Sequence, residues 1–425
     1  MLSKEMKDSG VEWIGKIPMD WDTRRLKVAL YRVKEIVDRY NGENILSLTM
    51  NGVVVRDLVN PKGKMPTTFD GYQKISKGNI ITCLFDIDVT PRCVGIAYDD
   101  GLTSPAYTQY QIYKKFDVNF IYYYLLMLDN DKIIVPITKS LRNTIKSEDF
   151  LDLKFSFPTK ERQIRISKFL ADSIKKINTI LSESQQSIDE LKKYKQSIIT
   201  KAVTKGLDEN VEMKDSGIEF IGYIPHNWTL NRLKQILKTQ LLYGANESGI
   251  YYNDDLPRYI RITDILDNNI LSSENKLSLT REKAEPYLLA EGDILFARSG
   301  ASVGKTFLVG KDNVGDTFAG YLIKAQLKSS IIPKFIYYYT LSGSFENWKN
   351  SITIQATIQN IGAEKYRNLP IPIPTKKIQQ EIVSYLDIQT KKVDNLIQNK
   401  KTIINELEKY KKSLIYEYVT GKKEV

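Results

Sequence analysis

The sequence predicts an α+β chain: two pseudo-repeated domains of mixed α/β type, separated by two long helices packed as an antiparallel coiled coil. Three observations predict it. Two stretches, Pro158 to Lys205 and Pro374 to Gly421, align without a gap at a constant offset. A second repeat precedes them, with residues 6–27 and 213–234 identical at fourteen of twenty-two positions. Each repeat is followed by short β-type runs and one helical phrase in matching order. The expected boundaries are 1–157 for the first domain, 158–207 for the first long helix, 208–373 for the second domain and 374–425 for the second helix.

Each long stretch opens on proline and closes on glycine (Gly206, Gly421), with neither residue between, as bounded helices do. Apolar residues recur at spacings of four and three: Leu170, Ile174, Ile177, Leu181, Ile188, Leu191 and Ile198, then Leu386, Val393, Ile397, Ile404, Leu407 and Leu414. That is a heptad seam. At 1.5 Å per residue each helix is roughly 70 Å long. Burying one Ile or Leu contributes about 1.5–3 kcal/mol, so either helix alone would leave a costly stripe wet. The two are therefore expected to pack on each other. Ser184 with Lys400, and Lys195 with Lys411, interrupt the seam, as polar residues that fix register do. Antiparallel packing would give a closed pseudo-dimer with a domain at each end of a helical rod.

The lead-ins read MKDSGVEWIGKIPMDW and MKDSGIEFIGYIPHNW. Their Ile-Pro pairs disfavour helix at the preceding residue, which makes them extended segments with Trp21 and Trp228 as packing anchors. Strands are expected at 45–49, 53–55, 79–85, 94–96 and 108–113, then at 258–262, 293–297, 305–309 and 322–327. Helices are expected at 118–128 and 333–340, where FIYYYLL and FIYYYTL occupy equivalent places. The middles, 78–113 and 292–327, barely resemble each other. A duplicated scaffold with divergent middles suggests one mechanical task and two recognition tasks.

With 425 residues, two or more domains are expected. No run of eighteen apolar residues predicts a membrane span, and MLSKEMKDSG carries no secretory signal. Two cysteines, Cys83 and Cys93, argue for a reducing compartment and ordinary thiols. The net charge of +11 favours a polyanionic partner. A lysine-rich composition could produce the same surplus without one. The single histidine, His226, leaves no Ser–His–Asp or Cys–His set to build. There is no HExxH, no paired metal-ligand spacing, and no Asn-Pro-Pro-Tyr tetrapeptide of the kind amino-methylating enzymes carry. SGASVGKT (299–306) imitates a phosphate-binding GxxxxGKS/T loop. Ser299 stands in place of the first glycine, however, and the run joins two strands rather than opening a helix.

Together these elements resemble the specificity subunit of type I restriction–modification systems over essentially the full chain. The residues that carry the resemblance are the duplicated DSGxExIGxIPxxW lead-in, YIRITDI (259–265), GDILFARSGASVGK (292–305), and two PTKxxQ-initiated helices ending in ELxKYKxS. The resemblance implies two target-recognition domains, each reading half of a bipartite double-stranded DNA target. The helices would set the spacer and dock methyltransferase subunits. It implies no catalysis and no cofactor in this chain: S-adenosylmethionine, ATP and magnesium would belong to the methyltransferase and restriction/translocase partners. It also implies a cytoplasmic bacterial or archaeal protein without a membrane. The first domain departs from the GDILFARSG pattern with GNIITCLFD (78–86).

Base edges are read by donors that reach them, and phosphates by Lys, Arg or backbone N–H groups. The DNA-binding candidates in the first domain are Arg92, Ser104, Tyr107, Lys139, Arg142, Asn143 and Lys146. In the second they are Arg261, Arg298, Ser299, Ser302, Lys305, Gln355, Thr357, Gln359 and Asn360. The competing reading is a non-enzymatic coiled-coil scaffold with a basic surface. A nuclease or methyltransferase acting alone stands third.

Overall fold

The computed structural model describes residues 5–61, 63, 65–138, 143–353 and 360–425. It divides into two compact units, residues 1–185 with 401–425, and residues 186–400.

In the first unit the lead-in is a hairpin, Met6–Asp8 paired with Lys16–Pro18. Its repeated sequence has a physical reason. The Asp8 carboxylate accepts from the Gly10 amide at 2.9 Å, the Ser9 amide donates to the Gly15 carbonyl at 3.0 Å, and Gly10 and Gly15 lie at φ 67° and 66°. The second unit repeats this with Asp215 and Gly217 at 2.9 Å, Ser216 and Gly222 at 3.0 Å, and φ of 71° and 69°. The glycines are needed because other residues strain in that region. Trp21 then meets Phe120 edge-on at 6.2 Å, and Trp228 meets Phe335 at 6.5 Å. Both tryptophans are buried anchors, as expected.

Each unit has a four-stranded antiparallel sheet. In the first, β1 (Leu30–Val33), β2 (Ile80–Thr82), β3 (Val94–Ile96) and β4 (Thr108–Ile112) lie in the order β1-β4-β2-β3. Helix α1 (Val118–Asn130) packs its Phe120, Tyr124 and Leu128 into the same core as the sheet. In the second, β5 (Leu242–Tyr243), β6 (Ile294–Ala297), β7 (Thr306–Leu308) and β8 (Leu322–Ala325) lie in the order β5-β8-β6-β7, and α3 will denote the helix Pro333–Thr340 that follows them. The strand order is the same although the two middles barely align. An edge ladder also repeats, Asp22–Arg25 with Lys154–Phe157 and Thr229–Arg232 with Pro370–Ile373.

The long helices are α2 (Lys160–Lys205) and α4 (Lys376–Val419). In the first unit Phe169 meets Tyr418 at 4.6 Å, and Lys411 donates to Asn178 at 3.3 Å. In the second, Lys195 pairs with Asp394 at 2.8 Å. Rising numbers on α2 meet falling numbers on α4, so the helices run antiparallel, and the α+β fold class with its antiparallel helix pair holds. Leu170, Ile177, Ile188, Leu386, Val393, Ile397 and Leu414 are buried; Ile174, Leu181, Leu191, Ile198, Ile404 and Leu407 are half-buried.

The PTKxxQ motif is a helix-start device. Gln163 is buried; it donates to the Pro158 carbonyl at 2.9 Å and accepts from the Asp117 amide at 2.9 Å. Gln379 does the same with the Pro374 carbonyl at 2.9 Å and the Ile332 amide at 2.8 Å. Each glutamine fastens the first turn of a long helix to the residue that opens α1 or α3. Among the described residues, no helix is long and apolar enough to cross a membrane.

Candidate functional site

The loop joining β6 to β7 carries four of the candidate residues, Arg298, Ser299, Ser302 and Lys305. Arg298 follows β6 directly. Its amide donates to the Tyr321 carbonyl at 3.0 Å, and its carbonyl accepts from the Ile361 amide at 2.8 Å. Ser299 forms a bridge with Asn360, so Arg298, Ser299 and Asn360 come together. The Arg298 guanidinium lies over the Tyr243 ring at 4.9 Å. Its Nε is buried with no hydrogen-bond partner among the described residues. Ser302 ends the short turn Gly300–Ser302, and its carbonyl accepts from the Lys305 amide at 2.9 Å. The Lys305 ammonium pairs with Asp267 at 3.1 Å. As expected, SGASVGKT is a polar turn between two strands.

Arg261 is turned inward. It grips the buried Asp264 carboxylate through Nε at 3.1 Å and a terminal nitrogen at 2.8 Å, and donates to the Asn275 carbonyl at 2.8 Å. Fork-to-carboxylate geometry of this kind fixes a loop. Gln355, Thr357 and Gln359 lie outside the described residues.

The corresponding loop of the first unit joins β2 to β3. Arg92 donates to the Asn130 side chain at 3.2 Å and lies 3.7 Å from the buried Asp129 carboxylate. Lys132 reaches the same carboxylate at 2.8 Å. Asn143 touches this loop: its carbonyl accepts from the Ile87 amide at 3.3 Å, and its side chain accepts from Thr138 at 3.0 Å. Ser104 and Tyr107 lie elsewhere, in the turn before β4, where both carbonyls accept from the buried Gln73 amide group at 2.8 and 2.7 Å. Burial raises the Tyr107 hydroxyl pKa. Lys146 is exposed at the start of the helix Ser147–Leu151. Lys139 and Arg142 lie outside the described residues.

Cys83 and Cys93 are both buried and unpaired, and face each other across the end of the β2–β3 ladder, where the Cys83 amide donates to the Cys93 carbonyl at 2.8 Å. Burial, helped by Asp129, pushes the Cys93 thiol up to about 12, and burial raises Cys83 as well. Thiols this hard to ionise are poor nucleophiles. His226 is exposed in a turn beside Pro225. Among the described residues, no group of three or more His, Cys, Asp or Glu is placed to hold a metal.

The backbone of the two loops corresponds. The Ile145 amide donates to Leu84 at 3.0 Å in the first unit, where the Ile361 amide donates to Arg298 in the second. The same backbone position therefore carries leucine in one unit and arginine in the other. The pairing agrees with the gapless match of GNIITCLFD to GDILFARSG, which sets Leu84 opposite Arg298. Tyr243 was missed, because its place beside Arg298 depends on a strand, Leu242–Tyr243, that the sequence reading did not include.

Residues 225–409 match the type I restriction modification DNA specificity domain. The putative type I restriction enzyme MjaX specificity subunit of Methanocaldococcus jannaschii is 25% identical over 96% of this chain and 95% of its own. Over nearly its full length the chain is similar to a type I restriction–modification specificity subunit. The MjaVIII specificity subunit of the same organism is 26% identical to this chain over 64% of its residues, a match that spans 63% of the relative's length. Two solved structures share the fold. One is a chain from a study of complex assembly and conformational transition in the type I restriction–modification system, with a TM-score of 0.70 and 15% identity over 95% of this chain and 98% of that one. The other is the HsdS subunit of Thermoanaerobacter tengcongensis, with a TM-score of 0.50 and 16% identity over 95% and 98%.

Proposed function

We propose that this chain directs a type I complex to a bipartite sequence in double-stranded DNA, each unit reading one half. The observation that carries the reading is the pair of matched loops. One sheet topology is built twice, and the loop leaving its second strand differs each time: Leu84 packs into the core of the first unit, and the half-buried Arg298 stands at the same position in the second. Two readers on one scaffold need that arrangement: a constant frame and variable contacts. The net charge of +11 suits a polyanion.

The helices set the unread spacer and dock methyltransferase subunits. Besides the buried seam, the first unit exposes Ile180 of α2 with Ile403 and Tyr410 of α4; the second exposes Tyr194 of α2 with Ile388 and Leu396 of α4. Single exposed apolar side chains are ordinary. A pair at heptad spacing, such as Ile403 and Tyr410 of the first unit, has the pattern of a second helix-packing face. The subunit itself is non-catalytic. S-adenosylmethionine, ATP and magnesium act in the methyltransferase and restriction/translocase partners.

The test is a map of methylated adenines in cells carrying this subunit with its partners. The expected motif has two specified halves and a fixed unread gap. A continuous motif, or none, overturns the reading. A duplex-DNA titration over a salt series adds a second check: phosphate contacts give a steep loss of affinity with salt, and a scaffold gives little binding at any salt.

A further inference from the structure

Five of the basic candidates are described: Arg92, Lys146, Arg261, Arg298 and Lys305. Arg92, Arg261 and Lys305 each face a carboxylate. Arg298 does not: among the described residues no carboxylate pairs with it. Instead its guanidinium is laid against the Tyr243 ring, with its Nε buried and without an acceptor. A planar cation stacked on an aromatic ring keeps its plane and much of its donor capacity.

Tyr243 is itself held at both ends. Its hydroxyl accepts from the Ala363 amide at 2.9 Å, and its backbone pairs with Ile323 of β8. The next residue is Gly244, where a Cβ would lie 2.4 Å from the carbonyl oxygens of both Phe318 and Ala319. Only glycine lets β5 close so tightly there, and that closure aims the tyrosine. The Arg298 backbone is likewise clamped between Tyr321 and Ile361. Ring, backbone and guanidinium are thus fixed before any ligand arrives.

We propose that Arg298 is a base-reading residue of the second unit that recognises a guanine, and that Tyr243 is its positioning residue. The inference rests on the DNA-recognition reading above. Guanine presents two acceptors, O6 and N7, in the major groove, and a fixed planar fork fits both at once; a phosphate needs only charge and tolerates a mobile side chain. The corresponding backbone position in the first unit is Leu84, so this contact belongs to one half of the target only.

The experiment uses the assembled complex and a DNA library randomised across the target, read as relative binding of each base at each position. The parent chain is expected to show one guanine in the half read by the second unit. R298K keeps the charge but not the fork, and should reduce the preference at that one base pair on the order of 10- to 100-fold, leaving other positions unchanged. Y243A should relax the same position, and Y243F, which keeps the ring, should retain it. Even loss at all positions under R298K makes Arg298 a phosphate contact and overturns the proposal. So does an unchanged motif. A parent complex with no sequence preference overturns instead the DNA-recognition reading beneath it. A merely structural role for Tyr243 would lower overall binding in Y243A without altering base preference, and would also count against the proposal.

Discussion

Lys195 of α2, one of the polar residues that interrupt the helix seam, donates to both carboxylate oxygens of Asp394 on α4 at 2.8 Å. The ammonium also donates to Asn268 at 3.1 Å, tying the helix pair to the recognition part of the second unit. The side chains are 18% and 32% exposed, so neither charge is fully hydrated. Such a pair adds little net stability but penalises alternatives that leave one charge alone. Asp394→Ala should lower stability by roughly 1–2 kcal/mol, seen as a lower melting temperature. The double change Lys195→Met with Asp394→Leu should recover most of it. A double variant as unstable as the single one would show that the pair is not an isolated register device.

Gly421 and Gly206 end the two long helices in the left-handed region, at φ 73° and 79°. Their surroundings differ. A Cβ at Gly421 would lie 2.5 Å from Pro18 and 3.1 Å from Trp21; at Gly206 it would lie 3.3 Å from Trp228. Both Gly→Ala changes cost about 1 kcal/mol for the backbone alone. Gly421→Ala must also push a proline ring aside, so it should be the more damaging of the two. Thermal melts of the two variants decide the order, and equal losses would show that the contact with Pro18 relaxes freely.

Asp293 supplies a pH dependence. It is almost fully buried, accepts from the Ala290 amide at 3.0 Å, and has Lys324 3.9 Å away. Burial raises its pKa above the ordinary 3.8 despite these partners. The folded chain therefore holds this proton at pH values where the unfolded chain has lost it. The contribution is greatest below 3.8 and is lost as pH rises through the folded value, leaving a cost at neutrality. Asp293→Asn should thus gain stability relative to the parent as pH is raised from about 3.5 to 7. Melting temperatures at both ends measure it; a gap that narrows with pH would reverse the assignment.

The helices were legible because Leu170, Ile177, Leu386 and Leu414 repeat at a spacing that only a helix pair explains. The lead-in was legible as a repeat, but not as a turn device, because the Asp8–Gly10 and Ser9–Gly15 bonds depend on backbone angles. Gln163 and Gln379 were legible as part of the repeated PTKxxQ motif but not as buried helix fasteners, since the amide each satisfies lies far along the chain. Arg92 and Arg261 have the right chemistry for bases, yet each faces an aspartate. Nothing in a residue's type reports such a partner. The pairing of Leu84 with Arg298 was legible from the matched segments 78–86 and 292–300, but the stacking of Arg298 on Tyr243 was not, because it joins residues far apart in the chain.

The exposed stripe on the helices gives the last expectation. Leu386 and Leu396 lie on the same helix, the first fully buried and the second 51% exposed. Aspartate at 386 would place a charge in the core of the second unit, and the variant should fail to fold or melt far below the parent. Aspartate at 396 meets water, so its melting should stay within about 0.5 kcal/mol of the parent's. If the stripe receives a methyltransferase helix, Leu396→Asp nonetheless buries that charge in the complex and should weaken co-purification with the methyltransferase subunit. Ile180 occupies the matching place on α2 at the constant offset of the repeat, so Ile180→Asp should weaken it too, and the two together more than either. Full association by the double variant would remove the stripe from the docking face and leave its exposure without a partner.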